Sequence, residues 1–294
     1  MARRILCRGW VILHGMGKEL RIAVLSNIPE VVNSLASLFD RLGHELTISV
    51  AAERKRSVTG PRDAGTSAAP SVPRSIIAPD KESLGPILKC AAPDLMLSWG
   101  FPWRIPDCAL DVPTFGSVNY HPSLLPRHRG PHPEGWTIRM GDENFGVTWH
   151  RMVAEYDRGA IMAQRSTPAF PDDTGRDVIL QLTSLGLRML GDVIERTAAG
   201  EPGDPQPTEG ATEEGPFGRD YAVIDWSMPV KAVHDQVRAW GCIPRPYSVI
   251  APIGNVNGRS VRVISTSRTQ PDGDALRVEC GDGPIWVTQT ESVD

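Results

Sequence analysis

The chain has 294 residues, of which 40% are hydrophobic and 22% are charged, and its formal net charge is −4. This apolar fraction can form a core, which excludes a disordered chain. The slightly acidic balance disfavours a protein that coats nucleic acid through general basicity. No apolar stretch approaches the ~18 residues of a membrane-spanning helix, so we expect no membrane partner.

The first residues of the chain resemble a signal peptide only in part. Arg3, Arg4 and Arg8 supply basic residues, but the apolar run over 10–13 is shorter than the ~7–15 residues that such a peptide needs. We therefore interpret 1–19 as an N-terminal extension, whose first fifteen residues the folded domain does not require. The five cysteines are widely spaced without a CxxC pair, which predicts reduced thiols, no bound metal and a cytoplasmic protein.

A strand–helix–strand pattern follows this extension. Residues 20–25 form a short apolar run typical of a buried strand. Asn27, with Glu30 three residues later, predicts a capping box for a helix that ends at Gly43. Residues 46–51 then predict a second strand, and the order of these elements indicates a parallel sheet.

The middle of the chain alternates between polar loops and apolar runs. Residues 53–74 are rich in Pro, Gly, Ser and Ala and carry a net charge of +3, which predicts a mobile surface loop or, alternatively, a loop that contacts an anion. We expect further strands at 94–99, 116–121, 146–152 and 161–164. Thr174 and Asp177 predict the capping box of a long helix that ends at Gly200.

The last third of the chain changes composition. Residues 201–220 contain four prolines and a net charge of −5, which predicts an acidic linker too polar to pack. Beyond it, Ser227 is the expected cap of a short helix that ends at Gly241. Strand-like pieces and turns such as Asn257-Gly258 predict a small all-β domain over 221–294.

Asn119 and His121 are the strongest candidates for chemistry. Strand alternation places both side chains on one face, directly before a turn at Pro122. An amide N–H donor beside an imidazole at a strand end can stabilise an oxyanion and move a proton. Asp157 lies in a loop before Gly159, where its carboxylate could orient a histidine.

These residues form a longer pattern. The segment over 119–130 reads N-x-H-x-S-L-L-P-x-x-R-G, and a D-x-G loop at 157–159 follows. Together they resemble the formyltransferase family that uses N10-formyltetrahydrofolate. The resemblance implies an α/β fold: a Rossmann-like formyltransferase catalytic domain over 20–200, the acidic linker over 201–220, and a small C-terminal OB-like β-barrel domain over 221–294.

The same resemblance implies the roles of the site residues. Asn119 and protonated His121 would stabilise the tetrahedral oxyanion, while Asp157 would orient His121 and raise its pKa. N10-formyltetrahydrofolate would be the one-carbon donor, and no metal would be needed. The donor-binding residues implied by the resemblance are Phe101, Trp103, Ile105, Ser123, Leu124, Leu125, Pro126, Val153 and Glu155.

The resemblance leaves the amine acceptor open. Residues 221–294 hold seven basic and eight acidic residues, a net charge of −1, whereas a tRNA-binding domain should be basic. This charge favours a small-molecule amine, such as an amino sugar nucleotide or a biosynthetic intermediate, and disfavours tRNA. The alternatives are a methionyl-tRNA formyltransferase and a formyl-folate hydrolase. His132 and Glu134, which follow the motif, are either surface residues or contacts to a polar acceptor.

Overall fold

The computed structural model describes residues 18–53, 74–168, 171–243 and 252–293. Residues 1–17 of the N-terminal extension and residues 54–73 of the positively charged loop therefore lie outside the described residues. None of the helices in the described ranges is long and apolar enough to span a membrane. Cys90, Cys108, Cys242 and Cys280 are free thiols, and Cys7 lies outside these ranges.

A seven-stranded mixed sheet forms the centre of the larger part of the chain. Its strands are β1 (Arg21–Leu25), β2 (Glu45–Ala52), β3 (Ser75–Ala78), β4 (Leu95–Trp99), β5 (Ser117–His121), β6 (Asn144–Arg151) and β7 (Ile161–Pro168). The order is β3-β2-β1-β4-β5-β6-β7. The first five strands are parallel, β6 runs antiparallel to β5, and β7 runs antiparallel to β6. The predicted strands are all present, and β3 was missed by the sequence analysis.

Six α-helices accompany the strands within the described residues. They are α1 (Pro29–Leu42), α2 (Leu84–Ala91), α3 (Asp107–Leu110), α4 (Pro133–Met140), α5 (Gly175–Ala198) and α6 (Val230–Gly241). The predicted capping box of α5 is present, because the Thr174 hydroxyl accepts from the Asp177 N–H and the Asp177 carboxylate accepts from the Thr174 N–H. Gly43 ends α1 in the left-handed conformation, as predicted.

Two predicted helix caps are wrong, because both polar side chains have other partners. The N-cap of α1 is Ile28, while the Asn27 amide exchanges two hydrogen bonds with the backbone of Ala52, at 2.9 and 2.8 Å. Asn27 therefore joins the carboxyl ends of β1 and β2. The N-cap of α6 is Pro229, and Ser227 instead bonds to Asp225.

The two faces of the large sheet differ in what covers them. One face packs on α1 and α5 in an apolar core that contains Trp99, Tyr120 and Trp149. The ring of Trp99 stacks on that of Tyr120 with centroids 3.6 Å apart. The other face packs on α2 and α3. Because side chains alternate along β5, Tyr120 faces the α5 core and its two neighbours, Asn119 and His121, face the opposite side.

A second, smaller sheet follows in the chain. Its antiparallel strands are β8 (Ile253–Val256), β9 (Arg259–Ser267), β10 (Leu276–Cys280) and β11 (Gly283–Ser292), in the order β10-β11-β9-β8. The predicted Asn257-Gly258 turn joins β8 to β9, and both residues have positive φ. This curled sheet packs on α6 through Val233, Val237 and Ile285, which agrees with the predicted OB-like architecture.

The 201–220 segment packs on the large sheet, so the prediction that it is too polar to pack is wrong. Asp204 forms two backbone hydrogen bonds with Ile161, at 2.7 and 2.8 Å. Farther along, the backbone of Arg129 bonds to Thr212 and Glu214. Backbone hydrogen bonding does not require apolar side chains, which explains why a polar, proline-rich segment can lie against the domain. The domain boundaries themselves stay predictions.

Candidate active site

His121 lies at the carboxyl end of β5, where parallel sheets present ligand-binding residues. Its side chain is buried, and its Nε2 donates to the carbonyl oxygen of His128 at 2.8 Å. Because a carbonyl only accepts hydrogen bonds, Nε2 carries a hydrogen. The Nδ1 of the neutral imidazole is therefore unprotonated, and it faces Asp157.

Asp157 connects the candidate catalytic residues. Its Oδ1 lies 3.5 Å from His121 Nδ1 and 3.5 Å from His150 Nε2, and its Oδ2 accepts from the Gly130 N–H at 2.9 Å. Burial by itself would raise the pKa of this carboxyl, but the two histidines and the Gly130 N–H more than offset it and hold the pKa well below its usual range. Asp157 is thus ionised in a largely buried site.

The pKa of His121 moves in the opposite direction from the prediction. Burial of the imidazole lowers the pKa of His121, and although Asp157 opposes this effect, the pKa stays below its usual value. The resting imidazole is therefore neutral near physiological pH. A neutral His121 can accept a proton at Nδ1, after which the carboxylate of Asp157 stabilises the imidazolium.

The turn after β5 is fixed by hydrogen bonds from side chains to its backbone carbonyls and to its neighbours. The Ser123 hydroxyl donates to the Arg127 carbonyl at 2.7 Å, and the Thr148 hydroxyl donates to the Ser123 carbonyl at 2.7 Å. Gln164 donates to the Leu125 carbonyl at 2.9 Å. These contacts make Ser123 and Leu125 parts of the support beneath the site.

Leu124 and Pro126 belong to the same support. A Cβ placed on Gly146 would lie 2.2 Å from the Leu124 side chain, so β6 needs glycine at this contact. The Pro126 carbonyl accepts from the Thr212 N–H at 3.2 Å. Donor binding by the four residues of 123–126 stays a prediction, and the structure places them as the inner wall of the turn.

Two loops lie where the donor is expected. Phe101 and Trp103 are half-buried with ring centroids 5.6 Å apart, and Ile105 is buried. On the facing loop, Val153 and Glu155 are exposed. The Arg104 guanidinium donates to the Ala154 carbonyl at 2.7 Å and thereby ties the two loops together. The structure brings these predicted residues to one region, beside the loop that carries Asp157.

The two residues proposed as acceptor contacts lie in different environments. His132 is half-buried with φ of 57° and precedes α4. Glu134 is buried in the first turn of α4, where its charge acts on Tyr120 and Cys242 in the α5 core. The interpretation of Glu134 as a surface residue is wrong, because α4, which the sequence analysis missed, turns this side chain away from solvent.

Glu134 predicts a pH-dependent stability. Its Oε2 has no hydrogen-bond partner within the described ranges, and burial raises its pKa from 4.5 to about 7. A raised carboxyl pKa means that the folded state holds the proton more tightly, so stability falls as the pH rises from about 4.5 through 7. We expect Glu134→Gln to stabilise the protein by about 3 kcal/mol at about pH 8 and by little at about pH 4.

Thermal denaturation across this pH range measures the effect, with the exposed Glu143→Gln as the matched control. An equal change in melting temperature for both variants at every pH would contradict the assignment.

Three polar residues that support the site were not predicted from the sequence. His150 contacts Asn119 and Asp157, and His128 supplies the carbonyl that binds His121. Gln206, from the 201–220 segment, donates to the carbonyls of Asp157 and Gly159 at 2.7 and 2.8 Å. Its own oxygen accepts from Arg129 at 2.6 Å, so one side chain joins the R-G and D-x-G parts of the motif.

Comparisons with known proteins identify the family. The sequence profile of the formyl transferase family matches residues 69–194. A methionyl-tRNA formyltransferase from Pseudomonas paraeruginosa is 32% identical over 214 residues, which cover 69% of this chain and 67% of that protein. The chain belongs to the formyltransferase family.

Two further similarities extend this result. The mitochondrial 10-formyltetrahydrofolate dehydrogenase of Mus musculus is 33% identical over 190 residues, or 63% of this chain and 20% of that protein. The solved structure of the sugar 3N-formyl transferase WlaRD, at 18% identity, superposes with a TM-score of 0.63 over 93% of this chain and 98% of that chain, which shows a shared fold. The predicted class, a formyl-folate-dependent transferase, and the predicted fold class are confirmed.

The prediction against tRNA is wrong. Among curated relatives, methionyl-tRNA formyltransferases match at 29 to 37% identity, although the chain spans only 50 to 67% of their length. The net charge of 221–294 did not predict the partner, because a net charge averages over all faces of a domain. Contact with a nucleic acid depends on where the basic groups lie. The sum over 221–294 also leaves out the positive residues of 54–73.

Proposed function

We propose that this chain transfers the formyl group of N10-formyltetrahydrofolate to the amine of methionyl-tRNA. The observation that carries the proposal is the cluster of half-buried Asn119 and Asp157 with buried His121 beside the carboxyl end of β5, in a chain 32% identical to a methionyl-tRNA formyltransferase. The donor lies between the loop over 101–106 and the loop over 153–157. Phe101 and Trp103 supply apolar surface for its ring system there.

The chemistry follows from the polar groups. The neutral amine attacks the formyl carbon, forming a C–N bond and placing negative charge on the formyl oxygen. An N–H of Asn119 stabilises this oxyanion. His121 Nδ1 accepts the proton that the amine loses, with Asp157 beside it. The bond from the carbon to N10 of the folate then breaks, and the proton passes to N10 as tetrahydrofolate leaves.

A cavity next to this cluster offers a place for the acceptor. It has a volume of about 760 Å³ and lies between the loop over 153–160 and the segment over 202–213. Arg129, Arg158 and Glu213 line it, and Glu213 forms an ion pair with Arg158. The lining thus keeps one more positive than negative charge for a phosphodiester. Gln206 separates this cavity from the Asp157 backbone. We place the acceptor end of the tRNA here. Val153 lines this cavity and also belongs to the loop that faces the folate, so the two ligands would meet beside it.

The test measures acceptor use directly. The purified chain is incubated with N10-formyltetrahydrofolate and methionyl-tRNA, and the released methionine is examined by mass for the formyl group. Uncharged tRNA and the Asn119→Ala variant are the controls. Formylated methionine that depends on both the charged tRNA and Asn119 supports the proposal.

Three other results would overturn it in different ways. Efficient formylation of a nucleotide-linked amino sugar, with none of methionyl-tRNA, would keep the donor chemistry and replace the acceptor. Release of formate without any amine would make the chain a formyl-folate hydrolase. No consumption of formyl-folate under any condition would remove the transferase proposal altogether.

A further inference from the structure

We propose that His150 is a positioning residue that holds the amide of Asn119 in the orientation needed to bind the formyl oxygen. The inference rests on the proposed function. It starts from the pairing of β5 with β6, in which Asn119 lies directly opposite His150. The Asn119 Nδ2 is 3.2 Å from His150 Nε2, and the His150 side chain is almost completely buried.

The proton position on His150 follows from its second contact. Its Nδ1 lies 2.8 Å from the carbonyl oxygen of Arg151, which can only accept. Nδ1 therefore carries the hydrogen, and Nε2 of the neutral ring has a lone pair. This lone pair accepts one N–H of Asn119 and repels the Oδ1 of a flipped amide.

The orientation of the Asn119 amide matters because its nitrogen donates hydrogen bonds and its oxygen accepts them. With its nitrogen toward His150, Asn119 has a second N–H that can donate to the developing oxyanion. With the amide flipped, a carbonyl oxygen would stand in its place and repel the negative charge. His150 does not need to touch the substrate, because it acts through Asn119.

Asp157 competes with the Asn119 N–H for the same ring nitrogen of His150, because a carboxylate favours a hydrogen on Nε2. The Asn119 contact is the shorter of the two, at 3.2 Å against 3.5 Å. Asp157 Oδ1 is 3.5 Å from Nε2, and the ring of His121 lies 6.1 Å from the ring of His150. The guanidinium of Arg151 points away, to the carbonyls of Phe115 and Glu201. Thus the His150 ring donates to the Arg151 carbonyl through Nδ1, and its other side lies near Asp157, which also lies near His121.

A double-mutant cycle tests whether His150 acts through Asn119. We expect His150→Ala to lower kcat by about 10-fold or more with little change in the KM for formyl-folate. His150→Gln, whose Oε1 can accept the same N–H, should recover most of this loss. In the Asn119→Ala background, His150→Ala should cause no further loss. The matched control is His234→Ala, which removes another buried histidine that bonds to Thr266 on β9.

The inference would be overturned if His150→Ala lowered kcat in the Asn119→Ala background by as much as in the wild type. It would also be overturned if His150→Gln and His150→Ala lowered kcat equally. A kcat loss in His234→Ala as large as in His150→Ala would also overturn it, because it would reflect general destabilisation.

A spectroscopic measurement tests the geometry without turnover, so it distinguishes failure of this inference from failure of the proposed function. Long-range ¹H–¹⁵N correlation spectra of the full chain at about pH 8 report which ring nitrogen of each histidine is protonated. We expect the Nδ1–H tautomer for His150, and a shift of its Nε2 resonance in Asn119→Ala. An Nε2–H tautomer, or an unchanged Nε2 resonance in that variant, would overturn the inference even if the enzyme is active.

Discussion

We expect His121→Ala, Asn119→Ala and Asp157→Ala each to lower kcat by at least about 100-fold. Loss of Asn119 removes a donor to the oxyanion, and such a donor is typically worth about 3–4 kcal/mol. In the proposed mechanism, loss of His121 removes the Nδ1 that takes the amine proton. Loss of Asp157 removes the charge that stabilises the protonated ring, 3.5 Å away.

Steady-state kinetics with formyl-folate measure this effect, and equilibrium binding of the folate separates chemistry from affinity. Binding should change less than kcat, because the proposed position of the donor is against the loops over 101–106 and 153–157. His44→Ala is the matched control, since His44 accepts from the Leu20 N–H at the amino end of β1, at the opposite edge of the sheet from His121. Near wild-type turnover of His121→Ala would remove the assignment of this site.

The pH profile adds a second check on His121. Because burial lowers the pKa of His121, the base is in its reactive, neutral form at physiological pH. We expect activity to fall as the pH drops through the lowered pKa of the imidazole, since a protonated ring cannot accept the amine proton. An activity that increases toward acid pH would instead support the original prediction of a protonated His121.

The sequence predicted those parts of the fold that depend on local patterns. The long helix α5 was found because its cap, Thr174 with Asp177, uses contacts three residues apart. Asn119 and His121 were placed on one face because strand alternation has a period of two. Asp157 was found through its motif, since nothing in the local sequence around it identifies the histidine that it contacts.

The missed features depend on contacts between distant segments. The contact of His150 with Asn119 follows from the register of β5 against β6, which a single sequence does not reveal. Gln206 lies in a proline-rich segment whose composition predicted a linker, yet it contacts the D-x-G loop. α4 begins at Pro133 and contains Gly135, and these residues obscured its helical pattern. The buried position of Glu134 was missed for the same reason.

Gly159 gives the second large expected effect. A Cβ at this position would lie 1.8 Å from the Arg151 carbonyl oxygen and 2.7 Å from its carbon, so the backbone must move to accept any side chain. Gly159 is two residues from Asp157, and the movement would shift the carboxylate away from His121 and disturb the Gln206 contact with the Gly159 carbonyl. We expect Gly159→Ala to destabilise the fold by about 3 kcal/mol and to lower kcat by at least about 10-fold.

Gly191→Ala is the matched control for this substitution. Gly191 lies inside α5, and its added Cβ would meet nothing within 4 Å among the described residues. Alanine is the better helix former by about 0.5–1 kcal/mol, so Gly191→Ala should raise the melting temperature by a few degrees and leave kcat unchanged. Thermal denaturation and steady-state kinetics on both variants measure the contrast. If Gly159→Ala instead matched Gly191→Ala in both measurements, the close approach of Gly159 to Arg151 would not be what holds Asp157 in place.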